Sequence, residues 1–296
     1  MKELKYAYYP GCVGKGACRE LHDSTTAIAT VLGIELVELD EGACCGAGTF
    51  KESNPLLEDT INARNIALAE AHNLPLMTQC STCQGVIGKV NETLQNNPQR
   101  RAEVNQILNT QGITYRGTIE VLHLLWVIIR DYGIDRLKSK IKRPLTGLKC
   151  ASFYGCYLLR GQTLNRFDDP YHPQSLEEIF RAVGATPIYY DGRIQCCGFP
   201  LASYDAKTSF RMAGKHLTEA LEMGADCLVT PCPLCHLNLD ARQPEVAQTI
   251  DRKLSLPVLH LPQLIGLALG IDPQILGLSR HVVSTKKILD LVTNAG

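Results

Sequence analysis

Ten of the 13 cysteines fall into two sets of five, and both sets are written the same way. Cys12 precedes the pair Cys44-Cys45 and then Cys80 and Cys83; Cys156 precedes Cys196-Cys197 and then Cys232 and Cys235. As patterns they read C-x31-CC-x34-C-x2-C and C-x39-CC-x34-C-x2-C. An identical second spacer in two separate stretches marks a duplication. The chemistry such sets offer is soft-metal ligation, and all-thiolate sites suit iron–sulfur clusters or zinc. Tetrahedral zinc and an ordinary cubane each take four ligands. Each set here holds five, two of them adjacent. That number fits a larger or irregular iron–sulfur cluster, or four ligands beside one free reactive thiol, better than it fits zinc. One zinc site beside one iron–sulfur site is the minor alternative.

The elements that must position these thiols follow one plan. Tyr6-Ala7-Tyr8-Tyr9 reads as a strand leading through Pro10-Gly11 to Cys12. A helix over about Arg19–Leu32 follows, then an alternating strand from Ile34 to Leu39, then the Gly42–Gly48 loop with Cys44 and Cys45. A helix over about Leu57–His72, a strand at Leu74–Thr78 and a helix opened by Cys80-Ser81-Thr82-Cys83 complete the unit. Residues 97–143 break the rhythm with polar helical material and then an apolar run, Val121–Ile129, read as a helix. The second half repeats the plan. Ala151–Gly155 leads to Cys156, and a helix near Ser175–Val183 leads to the strand Thr186–Tyr190 and to Cys196-Cys197-Gly198. A helix near Lys207–Met223 leads to the strand at Cys227–Thr230, and Cys232-Pro233-Leu234-Cys235 opens another helix. Val258-Leu259-His260-Leu261 echoes Val121-Leu122-His123-Leu124. Strand, cysteine loop and helix in repetition predict an α/β fold with parallel sheets. Loops after parallel strands gather at the carboxyl edge of the sheet, which would bring five thiols of each half into one pocket. The C-x-x-C pairs start helices, where the backbone dipole favours thiolate.

Composition removes several other functions. At 296 residues, 45% hydrophobic and 20% charged, the chain reads as an ordinary globular protein large enough for two cores. Thirty basic and thirty acidic side chains cancel, so nothing points to nucleic acid. The run Lys138–Arg143 reads as a solvated linker. The N-terminus has no signal-peptide apolar region, and no stretch reaches the roughly 20 apolar residues of a spanning helix. A reducing cytosol is the expected compartment, where cysteines act as ligands rather than as disulfides. The residues outside the two sets carry the plainer reading. Cys18, Cys150 and Cys227 have no counterpart in the other repeat and read as buried, unreactive thiols. His123 and His260 repeat but read as helix-start or core-edge residues, and Tyr9, Tyr154 and Trp126 as packing. His236, next to Cys235, is close enough to hydrogen-bond a cluster sulfur.

With Y-P-G-C, A-C-C-G and C-S-T-C in one half and F-Y-G-C, Q-C-C-G and P-C-P-L-C-H in the other, the chain resembles the CCG cysteine-rich domain family, which includes heterodisulfide reductase B. The resemblance covers nearly the full length. It implies two tandem repeats of a small Rossmann-like parallel-sheet domain, residues 1–145 and 146–296. It also implies two noncubane [4Fe-4S] clusters, one on Cys12, Cys44, Cys45, Cys80 and Cys83, the other on Cys156, Cys196, Cys197, Cys232 and Cys235. The activity implied is that of an iron–sulfur oxidoreductase subunit, reducing or forming a disulfide with electrons exchanged through a ferredoxin-like subunit and a flavoprotein. No nicotinamide or flavin fingerprint is present in this chain. The family also contains quinone-side subunits of atypical succinate dehydrogenases, the second expectation. A zinc-stabilised scaffold without redox activity is the third. Peripheral membrane attachment, through a partner or the apolar helix at Leu261–Ile271, is compatible with the second; an ordinary core helix is the default for that segment.

Overall fold

The computed structural model describes residues 3–160 and 167–294. Met1 and Lys2 of the N-terminus lie outside the described residues. Among the described residues, eight short strands form two four-stranded, wholly parallel sheets. The first holds β1 (Leu4–Tyr9), β2 (Ile34–Glu38), β3 (Leu76–Thr78) and β4 (Val121–His123), in the order β2-β1-β3-β4. The second holds β5 (Lys149–Ser152), β6 (Thr186–Ile188), β7 (Cys227–Thr230) and β8 (Val258–His260), in the matching order β6-β5-β7-β8. The duplication read from the cysteines therefore extends to topology.

The helices lie where the apolar periodicity puts them. One runs Arg19–Leu32 and stops at Gly33, whose left-handed backbone caps it. Others run Pro55–Ala71, Ser81–Asn96, Ser175–Ala182 and Ala206–Glu222. Asn54 and Asp205 cap two of them by accepting from Leu57 N and Thr208 N.

One expectation is corrected. The run Val121–Ile129 is not a single helix: its first three residues are β4, and the helix begins at Leu124. His123 sits at the junction, where its Nδ1 accepts from Leu125 N at 3.0 Å. Val258–His260 makes the same turn from β8 into the helix Leu261–Ala268. That helix is buried along its whole length and packs against Arg19–Leu32, so it has no apolar face left for a membrane. No helix among the described residues is long and apolar enough to cross one.

The two repeats do not have separate cores. Each of the two main apolar clusters draws side chains from both halves; one joins Tyr6, Tyr8 and Ile28 to Ile179, Phe180 and Leu264. Trp126 packs there and stacks on Phe167 with ring centroids 5.5 Å apart. The Pro231 carbonyl accepts across the interface from Ser81 N at 3.2 Å, from Ser81 Oγ at 3.1 Å and from His123 Nε2 at 3.1 Å. Beside it, the helix Ser81–Asn96 meets the short helix Tyr157–Arg160 at Gly85. A Cβ added to Gly85 would stand 2.9 Å from the Tyr157 carbonyl oxygen. Gly85→Ala is therefore expected to destabilise the fold by about 1–3 kcal/mol, because backbone cannot give way as a side chain can. The gain in helix propensity, about 1 kcal/mol, is too small to offset the upper part of that range. Urea denaturation of the variant beside the parent checks this.

Candidate metal centre

Each cysteine element follows the strand that the sequence assigns to it. Cys12 follows β1, the Cys44-Cys45 loop follows β2, and Cys80 ends the turn after β3. Cys156, Cys196-Cys197 and Cys232 follow β5, β6 and β7 in the same way. The close approach is visible at Gly11 and Gly155. Both have positive φ, 73° and 68°, and a Cβ there would stand 3.2 Å from Cys83 Sγ and 3.1 Å from Cys235 Sγ. Only glycine meets both conditions without strain.

The adjacent pairs are held by different devices in the two repeats. In the first, Asn65 Oδ1 accepts from Ala43 N at 2.9 Å, its Nδ2 donates to Ala43 O at 3.0 Å, and Asn62 Nδ2 donates to Cys45 O at 3.2 Å. Tyr9 Oη donates to Ala43 O at 2.6 Å. In the second, Asn238 Nδ2 donates to Cys197 O at 2.7 Å, and His216 Nε2 lies 3.0 Å from Cys196 O. Tyr154 is buried and donates to Glu177 Oε2 at 2.5 Å. Tyr9 thus holds backbone in place, whereas Tyr154 anchors a buried carboxylate, accepts from Leu176 N at 2.7 Å and also lines the cavity that holds the second set.

The ten thiols form one unbroken series. Cys12 Sγ is 3.5 Å from Cys44 Sγ, and Cys45 Sγ is 3.5 Å from Cys83 Sγ. Cys44 interacts with Cys45, and Cys83 with Cys80. The series then crosses the repeat interface, where Cys80 interacts with Cys232. It continues through Cys235, Cys197 and Cys196 to Cys156. Backbone N–H groups point at the sulfurs: Gly46 N at Cys44, Ala47 N at Cys45, Cys83 N at Cys80 and Gly198 N at Cys196, each at 3.4 Å.

Three thiols of this series, Cys45, Cys232 and Cys196, are held low among raised neighbours. Hydrogen bonds from Cys44 and then Cys83 pull Cys45 well down, and those from Cys235 and Cys80 do the same for Cys232. Cys196 is pulled to about 2 by Cys156 and then Cys197. The flanking thiols are pushed up: Cys44 and Cys156 chiefly by donating to these thiolates, Cys80 by burial. All ten can ionise together only if positive charge arrives. Two cavities hold the thiols. One, of about 40 Å³, is lined by the whole first set; the other, of about 520 Å³, is lined by the whole second set together with Thr82, Tyr157, Phe199 and Tyr204. Among the described residues neither lining includes a lysine or arginine, although Lys15 lines a neighbouring cavity with Cys12 and Cys44. A bound metal centre is the charge that fits, and the donor set fits thiolate-ligated iron–sulfur groups.

The remaining cysteines separate. Cys150 and Cys227 are register partners on β5 and β7, fully buried, with sulfurs 3.6 Å apart. Cys18 is also fully buried, but its Sγ faces His236 Nδ1 at 3.9 Å. Around that pair stand Glu20 and His260, a second polar cluster that the sequence disperses over 240 residues. Its one visible signal is the histidine that directly follows Cys235.

Known proteins bear out the duplication. The profile of the CCG cysteine-rich domain matches residues 6–88 and again 150–240. The chain is 41% identical to the 8-methylmenaquinol:fumarate reductase membrane anchor subunit of Wolinella succinogenes, over 97% of this chain and 99% of that one. It is 34% identical to a heterodisulfide reductase B-like protein of Archaeoglobus profundus, over 92% of each. Against the B component of the ferredoxin/F(420)H(2)-dependent CoB-CoM heterodisulfide reductase of Methanosarcina acetivorans the identity is 32%, over 96% of each. In fold it is similar to the crystal structure of a hypothetical protein from Helicobacter pylori, with a TM-score of 0.79 at 19% identity over 96% of this chain and 53% of that one. The chain belongs to the CCG cysteine-rich domain family.

Proposed function

We propose that this chain is the iron–sulfur subunit at the quinone side of a multisubunit reductase of the fumarate reductase or succinate dehydrogenase type. The observation that carries the electron-transfer part is the unbroken series of ten thiols, which begins at the first set and ends in the larger cavity. Cys12, Cys44, Cys45, Cys80 and Cys83 would hold one noncubane [4Fe-4S] cluster and Cys156, Cys196, Cys197, Cys232 and Cys235 the other. Such clusters supply one-electron transfer when bound. The chain's own residues supply the rest. The N–H groups of Gly46, Ala47, Cys83 and Gly198 stabilise negative charge on sulfur. Tyr157, Phe199, Pro200 and Leu234 give the larger cavity an apolar wall, and Tyr204, 84% exposed, stands at its rim. An aromatic, largely apolar lining beside buried sulfur suits a quinone ring. Oxidation of a quinol releases two electrons and two protons; clusters held by the two cysteine sets would supply the one-electron acceptors, a ferredoxin-like iron–sulfur subunit and a flavoprotein would take the electrons on, and the protons would leave to solvent at the Tyr204 rim. The full-length similarity to a menaquinol:fumarate reductase subunit favours this substrate.

A second reading has its own support in the heterodisulfide reductase B relatives. Two facing cysteine sets would then serve a disulfide, which takes up two electrons and two protons to give two thiols.

The cluster-loaded complex, assayed anaerobically, separates them. Menaquinol oxidation is expected, with KM raised about tenfold in Tyr204→Ala at unchanged iron content. Reduction of a CoB-CoM heterodisulfide without quinol turnover would put the second reading in its place, and a fully loaded complex active in neither assay would end both.

A further inference from the structure

We propose that Cys18 Sγ, a Glu20 carboxylate oxygen, His236 and His260 form a four-ligand site for a zinc-class divalent cation that joins the two repeats. The four ligand atoms lie within 4.8 Å of one another, and all four residues are buried. Two separations already have the size of a tetrahedral site: His260 Nε2 to Glu20 Oε1 is 3.3 Å and Cys18 Sγ to His236 Nδ1 is 3.9 Å. Bonds of about 2.0–2.3 Å to zinc place ligand atoms about 3.3–3.8 Å apart, so closure needs shifts of about 1 Å at most.

The hydrogen bonds behind the cluster fix which nitrogen is free. Gln263 Nε2 donates to Leu276 O at 2.9 Å, and Gln263 Oε1 accepts from His260 N at 2.9 Å, so the amide orientation is set. Gln263 Oε1 therefore accepts from His281 Nε2 at 3.1 Å. With the His281 proton on Nε2, its Nδ1 accepts from His236 Nε2 at 3.3 Å, with Asp240 Oδ1 3.7 Å from the same Nδ1. That leaves the lone pair of His236 on Nδ1, the atom that faces Cys18. This is the arrangement of a metal-bound histidine, whose second nitrogen is hydrogen-bonded to an outer group. Arg280 Nε, 3.2 Å from Glu20 Oε2, fixes the carboxylate from the other side. One thiolate and one carboxylate would balance the charge of a divalent ion in this buried place. Mixed sulfur, imidazole and carboxylate ligation suits zinc.

The consequence is mechanical. Cys18 and Glu20 begin the helix Arg19–Leu32 of the first repeat, whereas His236 follows β7 and His260 ends β8 in the second. An ion here would clip the repeats together on the side of the interface next to Cys235. The site does not depend on quinone or disulfide chemistry.

The test is made on iron-replete chain incubated with micromolar zinc and then freed of excess metal. Iron and zinc are counted separately, and the zinc environment is read by X-ray absorption. About one zinc per chain is expected, with one sulfur and three nitrogen or oxygen neighbours. Cys18→Ser and His260→Gln should each remove most of it while iron stays unchanged. Absence of zinc from iron-replete protein overturns the site, and so does zinc with three or four sulfur neighbours, which would place it among the ten cysteines. Zinc lost in His281→Gln but kept in Cys18→Ser would move the ion to His236, Asp240 and His281 and equally overturn this assignment. Where a variant fails to fold, the sulfur number in the unaltered chain still decides.

Discussion

Replacing Cys45 by serine is expected to halve the iron, from about eight to about four per chain on the two-cluster reading. Electron transfer through the complex should fall by at least about 100-fold, since outer groups alone alter metal sites by 10–100-fold and this change removes a ligand. Cys45 lies between Cys44 and Cys83 in the thiol series, so its loss opens the first set at its centre. Misfolding is not the expected cause. Serine is nearly isosteric, and the Cys45 carbonyl keeps its bond from Asn62 Nδ2. The second set does not touch Cys45 and should stay loaded. Cys150→Ser is the matched control: equally a buried cysteine, but placed in β5 away from both cavities. It should keep all its iron. Iron and sulfide assays on both variants, with EPR, check the contrast.

Glu177→Ala is expected to cost about 3–5 kcal/mol of stability. The Glu177 side chain is fully buried and is paired with Arg193, which is 11% exposed. It accepts from Ser152 Oγ at 2.6 Å, Tyr154 Oη at 2.5 Å and Arg193 Nη1 at 2.8 Å. Removing it strands a charge and two hydroxyls in a place without solvent. The damage should reach the second metal centre. Tyr154 lies two residues before Cys156, Arg193 three before Cys196, and Tyr154 N donates to the Arg193 carbonyl at 2.8 Å. Denaturation by urea should show the lost stability. Glu177→Gln, which keeps the shape and two of the acceptor sites, should cost less.

What the sequence discloses about this protein is local in origin. The helix Arg19–Leu32 is read to the residue, because its apolar period is clean and Gly33 ends it. The gathering of each cysteine set follows from loops at the carboxyl edge of a parallel sheet, a rule that needs no tertiary detail. β4 and β8 are hidden because each is three buried residues running directly into an apolar helix. In Val121–Ile129 neither a period of 2 nor one of 3.6 marks the change. The contact of Cys80 with Cys232 depends on how the repeats dock around the Pro231 carbonyl, which spacing within one repeat does not encode. Cys18, Glu20, His236 and His260 meet for the same reason. Cys18 reads as a buried thiol, His260 as a core-edge residue and His236 as a neighbour of a cluster sulfur, and Glu20 carries no signal, until the second repeat is laid against the first. Cys150 and Cys227 read as buried and are buried; their adjacency comes from strand register.

The central claim is that both cysteine sets hold iron–sulfur clusters. Iron and acid-labile sulfide, determined on chain purified without oxygen and followed by EPR during stepwise oxidation, test it most directly. The account predicts about eight irons with matching sulfide, and signals from two centres. About four irons, or zinc with sulfur-only neighbours in place of iron in either set, would contradict it.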